Sequence, residues 1–226
     1  MFSKTFLAKF SVDFEFTMIN FVRYFSQILG GDIMGEFIEI RWHGRGGQGA
    51  KTAATFLASA AISAGKYGQG FPEYGPERRG APMRGFTRIS DEPITRHDPV
   101  ESPKVVVVLD PTLLEIVDVT EGMPDDGIIL VNTSFPPSTV REKLKLPKGK
   151  YKIYTVDATK ISIEELGRAI PNTPMLGALI RATGIIDIDE IYRDIKEKFS
   201  KKFPEKIVQG NINAIKRAYE ELKGEE

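Results

Sequence analysis

Glu36-Phe37-Ile38-Glu39-Ile40-Arg41-Trp42-His43-Gly44-Arg45-Gly46-Gly47-Gln48-Gly49-Ala50 decides how the rest of this 226-residue chain is read. From Glu36 to Trp42 polar and apolar residues alternate, which is the period of a strand. A run rich in glycine follows, and residues 50–64 are then an alanine-rich stretch that Gly65 stops, the composition of a helix. A strand, a glycine turn and a helix in that order open an α/β unit. In such folds ligands sit beyond the carboxyl ends of the parallel strands.

Working outward, strand and helix signals keep alternating. Extended segments are expected at 66–71 and 83–89, separated by a proline-bounded loop from Pro72 to Pro82. Lys104-Val105-Val106-Val107-Val108-Leu109 is the β-branched run of a strand buried on both faces. Asp110-Pro111 then reads as an N-cap and first helical residue. Further strands are expected at 127–132 and 151–156, and helices at 138–144, 163–169, 174–183, 187–199 and 204–222. In the last of these Val208, Ile212, Ile215, Tyr219 and Leu222 share one face. The expected fold is an α/β three-layer sandwich with a mainly parallel, Rossmann-like sheet, one domain spanning 34–226.

Composition narrows the chemistry. The 31 basic and 31 acidic side chains cancel, which gives no electrostatic reason to expect nucleic acid as a partner. No apolar run is long enough to cross a membrane, and a cytoplasmic protein is expected. Cysteine is absent, which excludes disulfides, a thiol nucleophile and an iron–sulfur cluster held by this chain's own thiolates. His43 and His97 are the two histidines, poor material for a zinc site. Neither they nor any other residues make up a nucleophile–base–acid set, so no catalytic residue is expected in this chain.

Residues 1–33 differ from the rest. Seven of the 14 phenylalanines fall there, and Asp13 and Glu15 interrupt what would be a signal-peptide core. Gly30-Gly31-Asp32 can be encoded around GGAGG, a ribosome-binding sequence, at a workable distance before the ATG of Met34. Residues 1–33 are therefore expected to be a start-site artefact rather than a functional extension. The mass of the protein from its native cells decides this, since a mass that includes Met1 contradicts it.

The glycine loop admits several readings. Gly44, Gly46 and Gly49 match the dinucleotide fingerprint G-x-G-x-x-G, but the next acid, Glu73, lies after Pro72 in a loop and is poorly placed for a ribose. A phosphate-binding P-loop needs Lys directly after the last glycine. Here Ala50 intervenes before Lys51, and one extra residue turns a helical side chain by roughly 100°. Tight strand–helix packing explains the glycines but leaves the long polar side chains of Arg45 and Gln48 without a role. Arg78 and Arg79 stand together in Tyr74-Gly75-Pro76-Glu77-Arg78-Arg79-Gly80-Ala81-Pro82, where paired guanidiniums can fork onto phosphate or onto a partner's carboxylates. Asn172 and Thr173 sit at a helix start, where either can bind a ligand or satisfy backbone donors. Phe71, Tyr74 and Met83 flank the proline-bounded loop and are expected to meet partner chains.

Glu39 to Gly49 (EIRWHGRGGQG) resembles the opening of the gamma subunits of pyruvate and 2-ketoisovalerate ferredoxin oxidoreductases. So do Tyr74–Pro82, Val105–Asp110, Asp126–Thr133 (DGIILVNT) and Ile170–Leu179 (IPNTPMLGAL), in the same order. The resemblance implies a subunit of a hetero-oligomeric pyruvate synthase of anaerobic metabolism. Such an enzyme decarboxylates pyruvate oxidatively with coenzyme A to acetyl-coenzyme A and CO2 and reduces ferredoxin. It also implies alpha, beta and delta partner subunits, with thiamine diphosphate and 4Fe-4S clusters bound there. This chain would bind no cofactor of its own, and would build an interface and contact coenzyme A, a substrate of the complex. The candidate contacts are Gly44, Arg45, Gly46, Gly47, Gln48, Gly49, Arg78, Arg79, Asn172 and Thr173. The alternatives are a free-standing nucleotide-binding enzyme and the gamma subunit of a 2-ketoisovalerate enzyme.

Overall fold

Strand β1 (Phe37–Arg45) leads through the glycine turn into helix α1 (Ala50–Ser63). β2 (Tyr67–Pro72) and β3 (Pro82–Ser90) return beside β1 as an antiparallel pair. β4 (Val105–Val108), β5 (Ile128–Asn132) and β6 (Lys152–Val156) run parallel to β1, and β7 (Lys223–Gly224) closes the far edge antiparallel. The sheet order is β2-β3-β1-β4-β5-β6-β7, a parallel core with antiparallel edges. This computed structural model describes residues 37–73 and 80–225; the expectation for 1–33, together with Tyr74, Arg78 and Arg79, lies outside the described residues.

The valines of β4 show how the layers form. Val105 and Val107 join a core with α1, α3 (Ala158–Leu166), α4 (Asn172–Thr183), α5 (Ile188–Ser200) and α6 (Glu205–Glu220). Val106 and Val108 join a second core on the other face, with the short 3-10 turn Pro111–Glu115 and α2 (Pro137–Lys143). One outer layer is thus thick and helical, the other thin and mostly loop.

Glycines let α1 approach the antiparallel edge. A Cβ on Gly70 would lie 2.6 Å from Thr55 Cα, and one on Gly68 would lie 2.4 Å from the Ala58 carbonyl oxygen. The Ala-rich face of α1 fills the space that these missing side chains leave. Trp42 on β1 donates its indole N–H to Thr87 Oγ1 on β3 at 3.0 Å, and Thr87 donates in turn to the Ala54 carbonyl of α1 at 2.9 Å. That chain of bonds locks strand, strand and helix together inside the core.

The polar side of β1 is buried as well: Glu39, Arg41 and His43 are all covered. Arg88 on β3 donates to Glu39 at 2.8 Å and to the Asp98 and Pro99 carbonyls. Arg41 donates to the Val119 and Glu121 carbonyls. The loops that carry these acceptors cover the polar side of the sheet. Helix α3 occupies Ala158–Leu166 rather than 163–169, because Asp157 accepts from Lys160 N at 3.0 Å and Gly167, in the left-handed region, ends it. Asn172 is not a side-chain cap: α4 starts without one.

Candidate functional site

The site forms where β1 and β4 end side by side. Leu109 N donates to the His43 carbonyl at 2.8 Å, extending the parallel pairing by one step. That places Asp110, two residues past the end of β4, beside the glycine loop. Its carboxylate uses both oxygens. Oδ1 accepts from Thr112 N at 3.0 Å and Thr112 Oγ1 at 2.6 Å, which is the capping role. Oδ2 accepts from Gln48 Nε2 at 2.8 Å and Arg45 Nε at 3.2 Å. Burial pushes this carboxyl's pKa up, but the bonds from Thr112 and Gln48 and the charge of Arg45 outweigh it and hold it below the ordinary carboxylate value.

Arg45 and Gln48, which tight packing leaves without a role, are therefore fixed side chains of this loop. Arg45 also donates through Nη1 to the Gly80 carbonyl at 3.1 Å and through Nη2 to Thr112 Oγ1 at 2.8 Å. Gln48 Oε1 accepts from Arg45 N at 2.7 Å. Gly46 N donates to the Ala81 carbonyl and Gly80 N to the Gly46 carbonyl, so the loop from Gly44 to Gly49 is laced to the end of the proline-bounded loop. A guanidinium has five N–H groups. Three of Arg45's are fixed by these bonds, and its side chain stays 29% exposed.

Backbone conformation explains two of the glycines. Gly47 and Gly49 have φ of 101° and 84°, the left-handed region that favours glycine. At Gly49 a second constraint appears: a Cβ there would lie 2.5 Å from Asn172 Nδ2. The structure thus brings Asn172 against the glycine loop, while Thr173 beside it is equally buried. Just beyond Gly49 the first-turn amides of α1 lack intrahelical acceptors and carry the positive end of the helix dipole. Lys51 is exposed on α1, and Asp110 is taken up by loop donors, so the parts of a P-loop do not assemble. The dinucleotide reading fails on topology as well. β2, the strand after α1, lies antiparallel to β3 and not beside β1, and Glu73 after its end accepts a forked pair of bonds from Nε and Nη2 of Arg84.

Beneath the site, Arg41 Nε donates to His43 Nε2 at 3.0 Å. Burial, then the charges of Arg41 and Arg84, lower the His43 pKa to about 3, so this imidazole is neutral. His97 is exposed. Among the described residues no three His, Asp or Glu side chains gather as a metal site, and no helix is long and apolar enough to cross a membrane. Sequence reasoning missed Asp110 as a tether and Thr112 and Gly80 as its companions. The signal was available in β4 pairing with β1, because neighbouring parallel strands end together.

Comparison with known proteins fits this geometry. Residues 39–221 match the pyruvate ferredoxin/flavodoxin oxidoreductase family. The chain is 53% identical to the pyruvate synthase subunit PorC of Thermotoga maritima over 188 residues, 83% of this chain and 96% of that one. It is 52% identical to the pyruvate/ketoisovalerate oxidoreductases common subunit gamma of Pyrococcus furiosus, over 82% of this chain and 97% of that one. The crystal structure of the Thermotoga maritima pyruvate oxidoreductase subunit superimposes with a TM-score of 0.74 over 84% of this chain and 99% of that one. With the family's sequence spanning nearly the whole described fold, the chain belongs to the pyruvate ferredoxin/flavodoxin oxidoreductase family, among its PorC and gamma subunits.

Proposed function

We propose that this chain is the gamma subunit of a cytoplasmic pyruvate:ferredoxin oxidoreductase, and that it supplies part of the coenzyme A site without performing chemistry itself. Catalysis by thiamine diphosphate and electron transfer by 4Fe-4S clusters belong, on this reading, to the alpha, beta and delta subunits. With no cysteine in the chain, a thiolate-held cluster has to be carried by a partner. A second reading, a gamma subunit shared with a 2-ketoisovalerate enzyme, is favoured by the similarity to the common subunit of Pyrococcus furiosus.

The observation that carries the proposal is the state of Arg45. Three of its N–H groups are fixed on Asp110, Thr112 and Gly80, which leaves two of five for another acceptor. The pyrophosphate and 3′-phosphate of coenzyme A are acceptors of that kind. The helix amides beside Gly49 add donors to the same place. Arg78 and Arg79 follow directly in sequence before Gly80, whose carbonyl Arg45 holds, and they complete the proposed phosphate contacts.

Steady-state kinetics of the assembled complex test this. Arg45→Ala and Arg79→Ala are expected to raise the apparent KM for coenzyme A about tenfold, the loss of one charged hydrogen bond. The KM for pyruvate should hardly move. Unchanged coenzyme A kinetics, or loss of the partner subunits on purification, overturn the ligand role.

A further inference from the structure

Among the described residues Asp110 is the carboxylate that both glycine-loop side chains address. It follows β4, not β1, and is reached by Arg45 and Gln48 from the neighbouring strand end. Its second oxygen is committed to Thr112, and Thr112 Oγ1 accepts from Arg45 Nη2, closing a ring of four polar groups. A plain helix cap needs only one acceptor oxygen. The other oxygen therefore serves the glycine loop.

We propose that Asp110 is a positioning residue: it orients Arg45 and Gln48 so that the free edge of Arg45 meets an anionic phosphate group. This rests on the reading that the loop contacts coenzyme A. The physical case is the freedom of an untethered arginine. Its long side chain has much rotamer freedom to lose on ordering. Anchoring Nε, Nη1 and Nη2 removes that freedom before the ligand arrives. Gln48 contributes by holding the loop's shape, since its Oε1 accepts from Arg45 N while its Nε2 donates to Asp110. Asp110 touches neither the ligand nor the reacting atoms in this account.

Asp110→Asn in the assembled complex is the test. The amide keeps the shape, but one acceptor oxygen becomes a donor that faces the donors of Gln48 and Arg45, or those of Thr112. The apparent KM for coenzyme A should rise about tenfold, with kcat at saturating coenzyme A and the KM for pyruvate nearly kept. A general loss of structure would instead lower kcat and raise both KM values. If Asp110 acts through Arg45, the double variant Arg45→Ala/Asp110→Asn should be no worse than Arg45→Ala alone. Full multiplication of the two effects, or unchanged coenzyme A kinetics in Asp110→Asn, overturns the proposal while leaving the loop's ligand role standing. Unchanged kinetics in Arg45→Ala overturns both. Should Asp110→Asn fail to assemble, Thr112→Val removes only the hydroxyl of the ring; a several-fold rise in the same KM is expected, and no rise overturns the proposal.

Discussion

His43 is neutral because it is 3% exposed, beside two arginines, in a place where a proton costs more than in water. Its folded-state pKa of about 3 lies below the unfolded value of 6.5. The unfolded chain thus takes up a proton that the folded chain refuses between those values. Stability is undiminished above pH 6.5 and falls as pH drops toward 3, by up to about 1.4 kcal/mol per pH unit for one such group. Urea titrations from pH 7 to 5 should show that decline, and His43→Gln, which retains an acceptor for Arg41, should flatten it. A decline of equal slope in the variant contradicts the assignment. Gly49→Ala adds a methyl 2.5 Å from Asn172 Nδ2 at a φ of 84°, and should lower stability by about 1–3 kcal/mol in denaturant unfolding. At this scale the sequence marked Arg45 and Gln48 as long polar side chains that glycine packing does not explain. It could not pair them with Asp110, because that contact spans more than 60 positions and depends on which strands are neighbours.

Helix α1 and strand β2 fit together through absences. Gly70→Ala would put a methyl 2.6 Å from Thr55 Cα and 2.7 Å from the Ala54 carbonyl oxygen, backbone atoms that cannot rotate away. A loss of about 1–3 kcal/mol or more is expected, seen as a lower denaturant midpoint at unchanged m. An unchanged midpoint would contradict the close packing. The elements themselves were largely legible. The β-branched run of β4, the alanine composition of α1 and the stepped apolar face of α6 each point to one kind of element. Alternation along β1 identifies the strand but not what covers its polar side, since Arg41 finds acceptors on a loop 78 positions away. Helix α3 starts earlier than its apolar pattern indicates, because its cap Asp157 sits directly after a strand. The two-residue β7 is too short to leave any periodic signal.

The molecule as a whole keeps several large apolar side chains in water. Phe135, three residues after β5, is 62% exposed and Ile116, at the end of the 3-10 turn that follows β4, 57%, and Ile62 and Ile163 are exposed as well. Phe71 and Met83 are half-buried within the chain itself, the Phe71 ring lying tilted against Phe86 at 5.5 Å between centroids. The isolated chain should therefore bind a hydrophobic dye or self-associate, and Phe135→Ser with Ile116→Ser should reduce that signal. The most direct measurement is to add this chain back. The remaining subunits, purified without it, are mixed with pyruvate, coenzyme A and ferredoxin, and ferredoxin reduction is followed as this chain is titrated in. The account predicts activity that appears only with the chain present and saturates at a fixed ratio to its partners, while the chain alone binds neither ATP nor a nicotinamide. Full activity without it, or tight nucleotide binding by the isolated chain, would contradict it.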